Sequence, residues 1–541
     1  MTKIVLFKNL VRMRKQFSKK SLLLIAAVLL ITGSISAREY DITDYGAEKG
    51  RNSTSAIQKA VDECFAAGGG RVVIPAGTFI TGPVILKSNV NVFLESGAVL
   101  KGSENIEDYR SGNTRRGIFF CEDACNISIT GDGTIDASGS HFYDFTKNHG
   151  SPDFDRSLTR QKDDYMKDGT FFSDGPVKRL AMPGMTIVFF HCTGITLSGI
   201  TVKDTPIWAI RFGYCEDVLV TGITIRNNIL IPNSDGIHCT ASRNIRISDC
   251  DIVAGDDAII MTGFDKNENT PPYSMEEQEK KTYGNKSIYA ENMSVTNCQL
   301  RSSSAGIRIG YGQHPIRHCI FSNITIYESN RGIGIFAHDT TDIEDLIFDN
   351  IIIETRLYNG HWWGHGEPIH LSCASRFPEH NAGQIKNVIF SNIIATGGQG
   401  IIVYGQKESR IENLTFNNIR LFIKNGRETL SYGGNFDLRP AAGKNLQIFE
   451  HAIPGIYAQY INNLSVNGFN LSWDQDLPDY YTNAIEADNF INLRIDNFQG
   501  SASSNSKEKA VIKLSNGEKF FILNSIIKEN DASISRKNVK N

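Results

Sequence analysis

The sequence predicts an all-β fold, a single-stranded right-handed parallel β-helix with a capping helix at its N-terminal end. A short pattern recurs along the chain, in which alternating aliphatic residues are followed by Gly, Asn or Asp and then by further aliphatic residues. Clear copies of the pattern are Ile195–Val202, Val218–Ile225, Ile245–Ile252 and Met293–Leu300. The punctuating residues are Gly199, Gly222, Asp249, Asn297, Asn323, Asn350, Asn392, Asn418 and Gly468.

The spacing of these punctuating residues indicates a coil of strands. Successive gaps are 23, 27, 48, 26, 27, 42, 26 and 50 residues, so the long gaps are rungs with insertions or pairs in which one rung is degenerate. A repeat of about 20 to 30 residues built only from short strands is typical of a solenoid. The apolar residues alternate with a period of two, which excludes helical repeats, and the hairpin signals of a β-sandwich are scarce. Glycine or asparagine at each corner accepts the left-handed backbone that the bend requires.

Several segments depart from the repeat. Ser55–Ala67 has apolar residues at helical spacing, so we expect a helix that covers the N-terminal end of the otherwise open apolar core. Lys147–Gly175 and Lys266–Lys286 are polar and are predicted to be loops inserted between rungs. The polar tail after Lys507 is predicted to form the C-terminal cap and a frayed end.

Residues 1–37 have the features of an export signal. Lysines precede the apolar run Leu22–Ile31, and small residues follow up to Ala37. A membrane-spanning helix needs about 20 apolar residues, more than this run offers. We therefore expect a cleaved signal, a single β-helix domain over residues 38–541, a secreted or periplasmic location and no membrane insertion after cleavage.

Charge and cysteine content limit the partners and cofactors. The net charge of −3 is too small to indicate nucleic acid or an anionic membrane as a partner. Ten cysteines in an exported protein permit disulfides, but their density is low for a disulfide scaffold. Cys250 and Cys298 fall at strand positions filled elsewhere by isoleucine, which favours buried free thiols, whereas a disulfide between Cys121 and Cys125 stays open. No zinc-ligand spacing is seen, so we expect neither a metal nor another cofactor. We also expect the protein to be a monomer.

Two aspartate-containing motifs stand out. They are Asn233-Ser-Asp-Gly-Ile-His-Cys239 and Ala254-Gly-Asp-Asp-Ala-Ile-Ile260. Asp235 and Asp256 are 256 − 235 = 21 residues apart, close to one rung, which would place them on adjacent rungs at one point of the circumference. Asp257 can join them only if Gly255 marks a bend, because neighbouring side chains of a regular strand face opposite ways.

Three carboxyl groups so close together cannot all ionise at their ordinary pKa values. One is expected to stay protonated near neutral pH, which supplies a proton donor beside charged groups that activate water. The alternative is that these aspartates are ordinary turn residues at an exposed corner. A double aspartate at one-rung spacing from a third favours a catalytic site.

The two motifs resemble the Asn-Thr-Asp and Gly/Gln-Asp-Asp signatures of glycoside hydrolase family 28, the polygalacturonase family. Further similar segments are Tyr45-Gly-Ala, Ala56-Ile-Gln-Lys-Ala-Val, Gly68-Gly-Gly, Pro75-Ala-Gly-Thr-Phe, Leu86-Lys-Ser and Pro206-Ile-Trp208, so the resemblance covers most of the chain after residue 37. It implies hydrolysis of a glycosidic bond in a pectic polysaccharide by single displacement with inversion. It also implies that Asp256 is the general acid and that Asp235 and Asp257 hold the attacking water.

Two other signatures of that family are broken here. The histidine of its Gly-His-Gly motif is replaced by Ala305, and both cations of its Arg-Ile-Lys motif are missing from Gly334-Ile-Phe336. In polygalacturonases these groups bind the galacturonate carboxylate beyond the cleaved bond, so their loss argues against plain polygalacturonate. Rhamnogalacturonan-cleaving relatives also lack the histidine, which makes a mixed backbone a fair substitute. Arg308 could restore a cation on the same face or be a surface arginine at a ladder edge.

A second cluster lies in Asn359-Gly-His-Trp-Trp-Gly-His-Gly-Glu-Pro-Ile369. Trp362 and Trp363 cannot both be core residues, and flat indole faces suit stacking on sugar rings. The alternative is a packed loop with one tryptophan buried. His361, His365 and Glu367 of the same segment are predicted to contact the substrate. His238, which follows Asp235, and the separate segment Asp437-Leu-Arg-Pro440 are further predicted contacts. His238 is expected to point near Asp235, where a lone histidine is more often a hydrogen-bonded structural residue.

Two further functions stay open at this point. A β-helix lyase or epimerase would abstract a proton beside a uronate carboxylate with Arg, Lys or Tyr, often with Ca²⁺, and the broken Arg-Ile-Lys motif argues against it. A non-catalytic glycan-binding β-helix would be expected to lose at least one of the three aspartates. If the predicted loops close one end of the groove, cleavage at a chain end is favoured over internal cleavage.

Overall fold

In the computed structural model, parallel strands stack into three ladders, A, B and C, that form one continuous 36-stranded sheet. The structure describes residues 38–112, 114–149, 154–166, 174–264, 289–527 and 534–540. The predicted signal 1–37 and the predicted loop Lys266–Lys286 lie outside these residues. The fold confirms the predicted right-handed parallel β-helix.

Each rung passes from ladder A through ladder B to ladder C. Ladder A contains β4 (Val84–Ile85), β9 (Phe119–Glu122), β14 (Ile187–Phe190), β17 (Ile210–Gly213), β20 (Ile237–Thr240), β23 (Ile259–Gly263), β26 (Ala305–Gly312), β28 (Arg331–Phe336), β30 (Ile369–Ser372), β32 (Ile401–Tyr404), β39 (Ile512–Ser515) and β42 (Ile534–Lys537). Ladder B contains β1 (Glu39–Asp41), β2 (Gly70–Ile74), β5 (Val90–Leu94), β10 (Cys125–Gly131), β15 (Thr193–Ser198), β18 (Glu216–Thr221), β21 (Arg243–Ser248), β24 (Ala290–Thr296) and β40 (Glu518–Leu523). Ladder C contains β3 (Gly77–Thr81), β6 (Ala98–Gly102), β11 (Thr134–Asp136), β16 (Thr201–Lys203), β19 (Thr224–Arg226), β22 (Asp251–Ala254), β25 (Gln299–Ser302), β38 (Gln499–Gly500) and β41 (Ile526–Ile527).

Longer strands bend through two or three ladders without a break. Ladders B and C share β27 (Ile316–Ser329), β29 (Ile343–Thr355), β31 (Ile385–Gly397) and β33 (Ile411–Ile423). All three ladders share β36 (Ile456–Trp473), and ladders A and B share β37 (Ile485–Asp496). Outside the coil lie three antiparallel pairs, β7 (Arg110–Ser111) with β8 (Thr114–Arg115), β12 (Tyr143–Asn148) with β13 (Val177–Arg179), and β34 (Asn435–Asp437) with β35 (Ile448–Glu450).

The predicted capping helix is α1 (Thr54–Ala66), which packs on β1, β2 and β4 with its apolar face buried. A second, one-turn helix is α2 (Thr429–Tyr432), and short 3₁₀ turns occupy Ile42–Tyr45, Ile106–Tyr109, Gly139–Phe142, Arg156–Leu158, Lys162–Asp164 and Lys444–Leu446. The α1 helix closes the N-terminal end of the core because the first rung would otherwise expose its aliphatic interior.

The core is a set of stacked apolar columns inside the coil. In one column the rings of Phe321, Phe348, Phe390 and Phe416 stack with successive centroids 4.9, 4.8 and 5.3 Å apart. These separations follow the spacing of about 4.8 Å between paired strands. All ten cysteines are free thiols, and Cys250 and Cys298 are buried as predicted, so the open possibility of a Cys121–Cys125 disulfide is wrong.

Each long gap in the repeat is one rung with an insertion. β21 pairs directly with β24, β29 with β31, and β33 with β36. Three insertions, residues 137–186, 356–368 and 424–455, leave ladder C and return to ladder A at the same corner. They contact one another, as when the Trp362 indole donates to the Asp174 carbonyl over 2.8 Å. The described parts of these three insertions, called the insertion wall below, lie between the end of ladder C and the start of ladder A.

Asparagines at the corner between ladders B and C adopt the left-handed conformation that the repeat predicts. Asn350, Asn392 and Asn418 have φ of 57°, 54° and 54°, and Gly468 continues the column with φ of 67°. The Asn418 amide donates to Asn392 Oδ1 over 2.8 Å. A second column, at the start of ladder B, is not evident in the repeat pattern; there the Asn463 amide donates to Asn413 over 2.8 Å.

We expect Asn418→Ala to lower the free energy of unfolding by about 1–2 kcal/mol, because alanine loses the amide hydrogen bond and is strained at positive φ. Asn418→Gly loses the same bond without that strain, as the glycine at position 468 of the next rung illustrates. Urea unfolding of both variants gives the comparison. Equal losses for the two variants would show that backbone strain is not the cause.

Candidate active site

The three aspartates lie in two neighbouring connections from ladder C to ladder A. Asp235 precedes β20, Asp256 and Asp257 precede β23, and the Gly236 N–H donates to the Asp257 carbonyl over 2.9 Å. The predicted bend at Gly255 is a point of close approach, since a Cβ there would lie 2.3 Å from the Ile231 carbonyl oxygen. The charges of Asp256 and Asp257 both act on the Asp235 carboxyl, so the one-rung spacing brings the three aspartates together, as the sequence predicts.

Asp256 is the most solvent-accessible of the three. It is half-buried, whereas Asp235 and Asp257 are 2% and 4% exposed. The backbone N–H and the side-chain amide of Asn233 donate to its Oδ2 over 3.1 and 3.3 Å, and the Asp257 N–H donates to its Oδ1 over 3.0 Å. These bonds fix the Asp256 carboxyl at the mouth of the site.

Asp257 forms a buried ion pair with Arg308. The Arg308 Nε donates to Asp257 Oδ2, and the Ala305 N–H donates to Oδ1 over 3.0 Å. The guanidinium also lies 4.7 Å from the centre of the Tyr311 ring. The structure thus places Arg308 inside the cluster, on the same face as the aspartates, and the reading of it as a surface arginine is wrong.

Asp235 contacts the predicted residue His238. The Asp235 Oδ2 and His238 Nδ1 atoms are 3.4 Å apart, and the His238 ring stacks on Trp208 with centroids 3.6 Å apart. His238 is fully buried, and its Nε2 lies 3.3 Å from the Thr262 hydroxyl. Within the described ranges, Asp235 Oδ1 is buried with no hydrogen-bond partner. A buried carboxylate oxygen without a partner marks a place for a bound polar group.

The cluster shifts the pKa values of its members. Burial and the charge of Asp257 raise the pKa of Asp256 to about 7. Burial, followed by the charges of Asp256 and Asp257, raises the pKa of Asp235 well above its usual value. Burial and the charges of Arg308 and Arg211 hold the pKa of His238 well below its usual value, so the imidazole is neutral. Near neutral pH this group of carboxyls therefore retains a proton.

Ladder A continues beyond the aspartates to the position of the broken Arg-Ile-Lys motif. Gly334 pairs in register with Arg308 on one side and with His370 on the other. A Cβ at Gly334 would lie 2.6 Å from Phe336 Cε2 and 3.2 Å from Arg331 Cδ. The Phe336 ring and the Arg331 side chain thus occupy the space above this glycine.

Arginines on this side of the aspartates are matched by carboxylates. The pairs are Arg308 with Asp257, Arg331 with Glu367 (3.4 Å), Arg376 with Asp339 (2.6 Å) and Arg439 with Asp437 (2.9 Å). All eight side chains are buried or nearly so. The charges of these arginines are therefore largely neutralised.

The structure separates the predicted tryptophans. Trp362 is 5% exposed and donates a hydrogen bond to Asp174 of another insertion, so its ring is enclosed and the predicted binding role is wrong for this residue. Trp363 is 36% exposed, and sugar stacking by its ring stays a prediction. His361 is half-buried, with its ring 6.1 Å from that of Phe154, and its predicted contact with substrate stays a prediction as well.

Glu367 is a structural anion. It is fully buried, it pairs with Arg331, and its Oε2 accepts the His365 N–H over 2.7 Å. Burial opposes its ionisation, yet the Arg331 charge and a hydrogen bond with His370 lower the pKa of Glu367 to about 2. The predicted contact between Glu367 and substrate is therefore wrong, because its carboxylate is enclosed.

Other features of the site are not evident in the sequence motifs. Arg211, in β17, lies beside His238 in register, and Asn233 orients Asp256. Among the described residues, Glu122, Asp123 and His191 bring possible metal-ligand atoms within 4.8 Å of one another, near the N-terminal end of ladder A.

Within the described ranges, no helix has the length and apolar character needed to cross a bilayer.

Known proteins share sequence similarity with this chain. The sequence model described as "Glycosyl hydrolases family 28" matches residues 64–355. A "Probable polygalacturonase" of Vitis vinifera is 28% identical over 233 residues, which cover 40% of this chain and 42% of that protein. An "Endo-polygalacturonase" of Pectobacterium carotovorum subsp. carotovorum is 23% identical over 376 residues, which cover 62% of this chain and 87% of that protein.

The fold is also similar to that of a solved structure, a hyperthermoactive exopolygalacturonase from Thermotoga maritima. The superposition has a TM-score of 0.54 at 19% identity and covers 71% of this chain and 87% of that one. At this identity the likeness establishes the fold. The chain spans less than half the length of the Vitis vinifera relative.

Proposed function

The chain belongs to glycosyl hydrolases family 28, and from this membership we propose that it is a secreted enzyme that cleaves a pectic polysaccharide with inversion. The observation that carries the proposal is the cluster of Asp235, Asp256 and Asp257 on adjacent rungs, in which Arg308 is paired with Asp257. We further propose that residues 38–541 form one catalytic domain, that the protein acts as a monomer, and that it is exported to the periplasm or beyond.

Asp256 is proposed as the general acid. It is the accessible member of the cluster, and its pKa of about 7 keeps it protonated in mildly acidic solution. The hydrogen bonds from Asn233 hold the carboxyl in one orientation, which favours transfer of its proton to the oxygen of the leaving sugar.

Asp235 and Asp257 are proposed to hold the attacking water. Asp257 is ion-paired with Arg308, and Asp235 presents a buried oxygen that lacks a partner in the described part of the chain. A water between these two carboxyls would lose its proton to the ionised one as it attacks the anomeric carbon. The resemblance to inverting hydrolases assigns this step to the face of the sugar opposite Asp256.

The proposed substrate contains galacturonate but is not plain polygalacturonate. Beyond the aspartates, where polygalacturonases have cations for the next uronate, this chain has Gly334 and Phe336. The arginines around that position pair with buried carboxylates. A uronate at this position would bury its carboxylate without a cationic partner, which is unfavourable. A neutral sugar has no carboxylate and does not incur this cost. A rhamnogalacturonan-like backbone, in which a neutral sugar follows galacturonate, meets this condition.

The proposed reaction is tested by the products from a panel of pectic fractions. We expect new reducing ends without an increase in ultraviolet absorbance, and higher specific activity on rhamnogalacturonan than on polygalacturonate. Unsaturated ends that absorb in the ultraviolet would identify a lyase instead. Binding to the fractions without any new reducing ends would identify a glycan-binding protein.

A further inference from the structure

Arg179 reaches the site from the insertion wall. It belongs to β13, which pairs with β12 in the insertion 137–186, and its half-buried guanidinium donates to Asn233 Oδ1 over 2.7 Å. Asn233 in turn donates to Asp256 Oδ2 from its backbone N–H and from its side-chain amide, over 3.1 and 3.3 Å. The insertion is thus connected to the proposed general acid through one asparagine side chain.

The backbone that carries Arg179 is anchored to the coil. Tyr143 of β12, which lies opposite Arg179 in register, is buried, and its hydroxyl donates to the Pro206 carbonyl over 2.7 Å. The Val177 N–H of β13 donates to the Leu230 carbonyl over 2.9 Å. These two bonds join the pair of strands to the connections that precede β17 and β20, so the guanidinium is held at the mouth of the site.

The bond from Arg179 determines which way the Asn233 amide faces. An amide side chain has a donor end and an acceptor end, and a rotation of about 180° about its last bond exchanges them. A guanidinium has donors alone, so it holds the oxygen of the amide and turns the NH₂ group toward Asp256. Without Arg179 the amide can rotate and present its oxygen to the same carboxyl.

This orientation affects the proton of Asp256. Its Oδ2 accepts two hydrogen bonds from Asn233, whereas its Oδ1 accepts one, from the Asp257 N–H over 3.0 Å. Because the two donors occupy the lone pairs of Oδ2, the acid form carries its proton on Oδ1. An amide that is turned round would accept a proton from Oδ2 instead, which stabilises the acid form and draws the proton away from the leaving oxygen.

We infer that Arg179 is a positioning residue for the proposed general acid, which acts through the Asn233 amide and keeps the proton of Asp256 available to the leaving oxygen. The inference rests on the proposed function and adds a residue of the insertion 137–186 to that site. The proton passes from Asp256 to the leaving oxygen as the bond from this oxygen to the anomeric carbon breaks. The donors of Asn233 then remain in place and stabilise the carboxylate that is formed.

The first test measures initial rates on the best pectic substrate as a function of pH. Arg179→Met, which has no donor, should lower kcat by about 3- to 10-fold with KM within about twofold of the unmodified enzyme. The fall in rate at alkaline pH should move upward by about 0.5 to 1 pH unit, because the turned amide disfavours ionisation of Asp256. Arg179→Lys keeps a donor and should restore most of the rate and the original pH dependence. Asp235, Asp257 and Arg308, whose charges also act on Asp256, are unchanged in these variants.

A second test asks whether Arg179 acts through Asn233. Asn233→Gly removes the amide without backbone strain, because φ of Asn233 is 55°. In that background Arg179→Met should change kcat by less than about twofold, since the group that it positions is gone. Lys178→Gln, at the exposed neighbouring position of β13, is the matched control and should leave the rate and its pH dependence unchanged. Circular dichroism checks that each variant is folded.

A loss of the same size in both backgrounds would overturn the inference. A higher KM with kcat and the pH dependence unchanged would also overturn it and would identify Arg179 as a direct contact to the sugar. The proposed function is judged separately, by the reducing ends that the unmodified protein releases and by their loss in Asp256→Asn. If both are as expected while Arg179→Met behaves like the unmodified enzyme, the inference alone is refuted. If the unmodified protein releases no reducing ends, the proposed function fails and the inference fails with it.

Discussion

Asp256→Asn is expected to lower kcat by about 10²- to 10⁴-fold while leaving the β-helix folded, because the amide cannot donate the proton that the leaving oxygen needs. The rate of the unmodified enzyme should fall as the pH rises through about 7, because deprotonation of Asp256 removes that same proton. The pH dependence has this sign because an acid catalyst acts only in its protonated form. Initial rates on the best pectic substrate, measured from pH 4 to 9, check both statements.

Asp132→Asn is the matched control for this substitution. Asp132 is an exposed aspartate between β10 and β11, hydrogen-bonded to Ser96 and remote from the site in the coil. We expect it to leave both the rate and its pH dependence unchanged. A rate for Asp256→Asn within about tenfold of the unmodified enzyme would contradict the assignment of the general acid.

Arg308→Gln should lower the free energy of unfolding by about 3–5 kcal/mol, because it leaves the buried Asp257 carboxylate without its cation. The double substitution with Asp257→Asn removes both charges and should recover much of that loss. Both variants should be inactive, since Asp257 has lost either its charge or the contact that holds it. Urea unfolding and initial rates for the two variants, measured together, test this.

Arg226→Gln provides the comparison for an exposed pair. Arg226 and Asp251 form an ion pair with side chains 42% and 38% exposed, so its loss should cost less than about 1 kcal/mol. If Arg308→Gln is no more destabilising than this control, burial does not make Asp257 dependent on its arginine.

The coil and the aspartate cluster could be predicted because their signal repeats locally. Corner residues such as Asn392 recur at one-rung spacing, and the same spacing relates Asp235 to Asp256. Strand pairing in register then converts a distance along the sequence into a neighbour in space. The resemblance to a known family came from the same short motifs.

Contacts between distant insertions could not be predicted in this way. Trp362 is buried because its indole reaches Asp174, 188 residues earlier in the chain. Glu367 is enclosed by Arg331, which belongs to the preceding rung of ladder A, and no local pattern marks that pair. In the sequence Arg211 stands in an ordinary strand pattern without a motif of its own. The register between β17 and β20, which pairs it with His238, reveals its place beside the cluster.

The insertions of this chain have a consequence for how such enzymes diversify. Residues 356–368 and 424–455 enter and leave the coil at one corner, and the rungs on either side still pair directly. Loops at that corner can therefore lengthen, shorten or be exchanged without altering the interior columns or the spacing of the three aspartates. The length of these loops and the packing of the coil are therefore set by separate parts of the chain, so that selection can change the loops without eroding the stability of the fold.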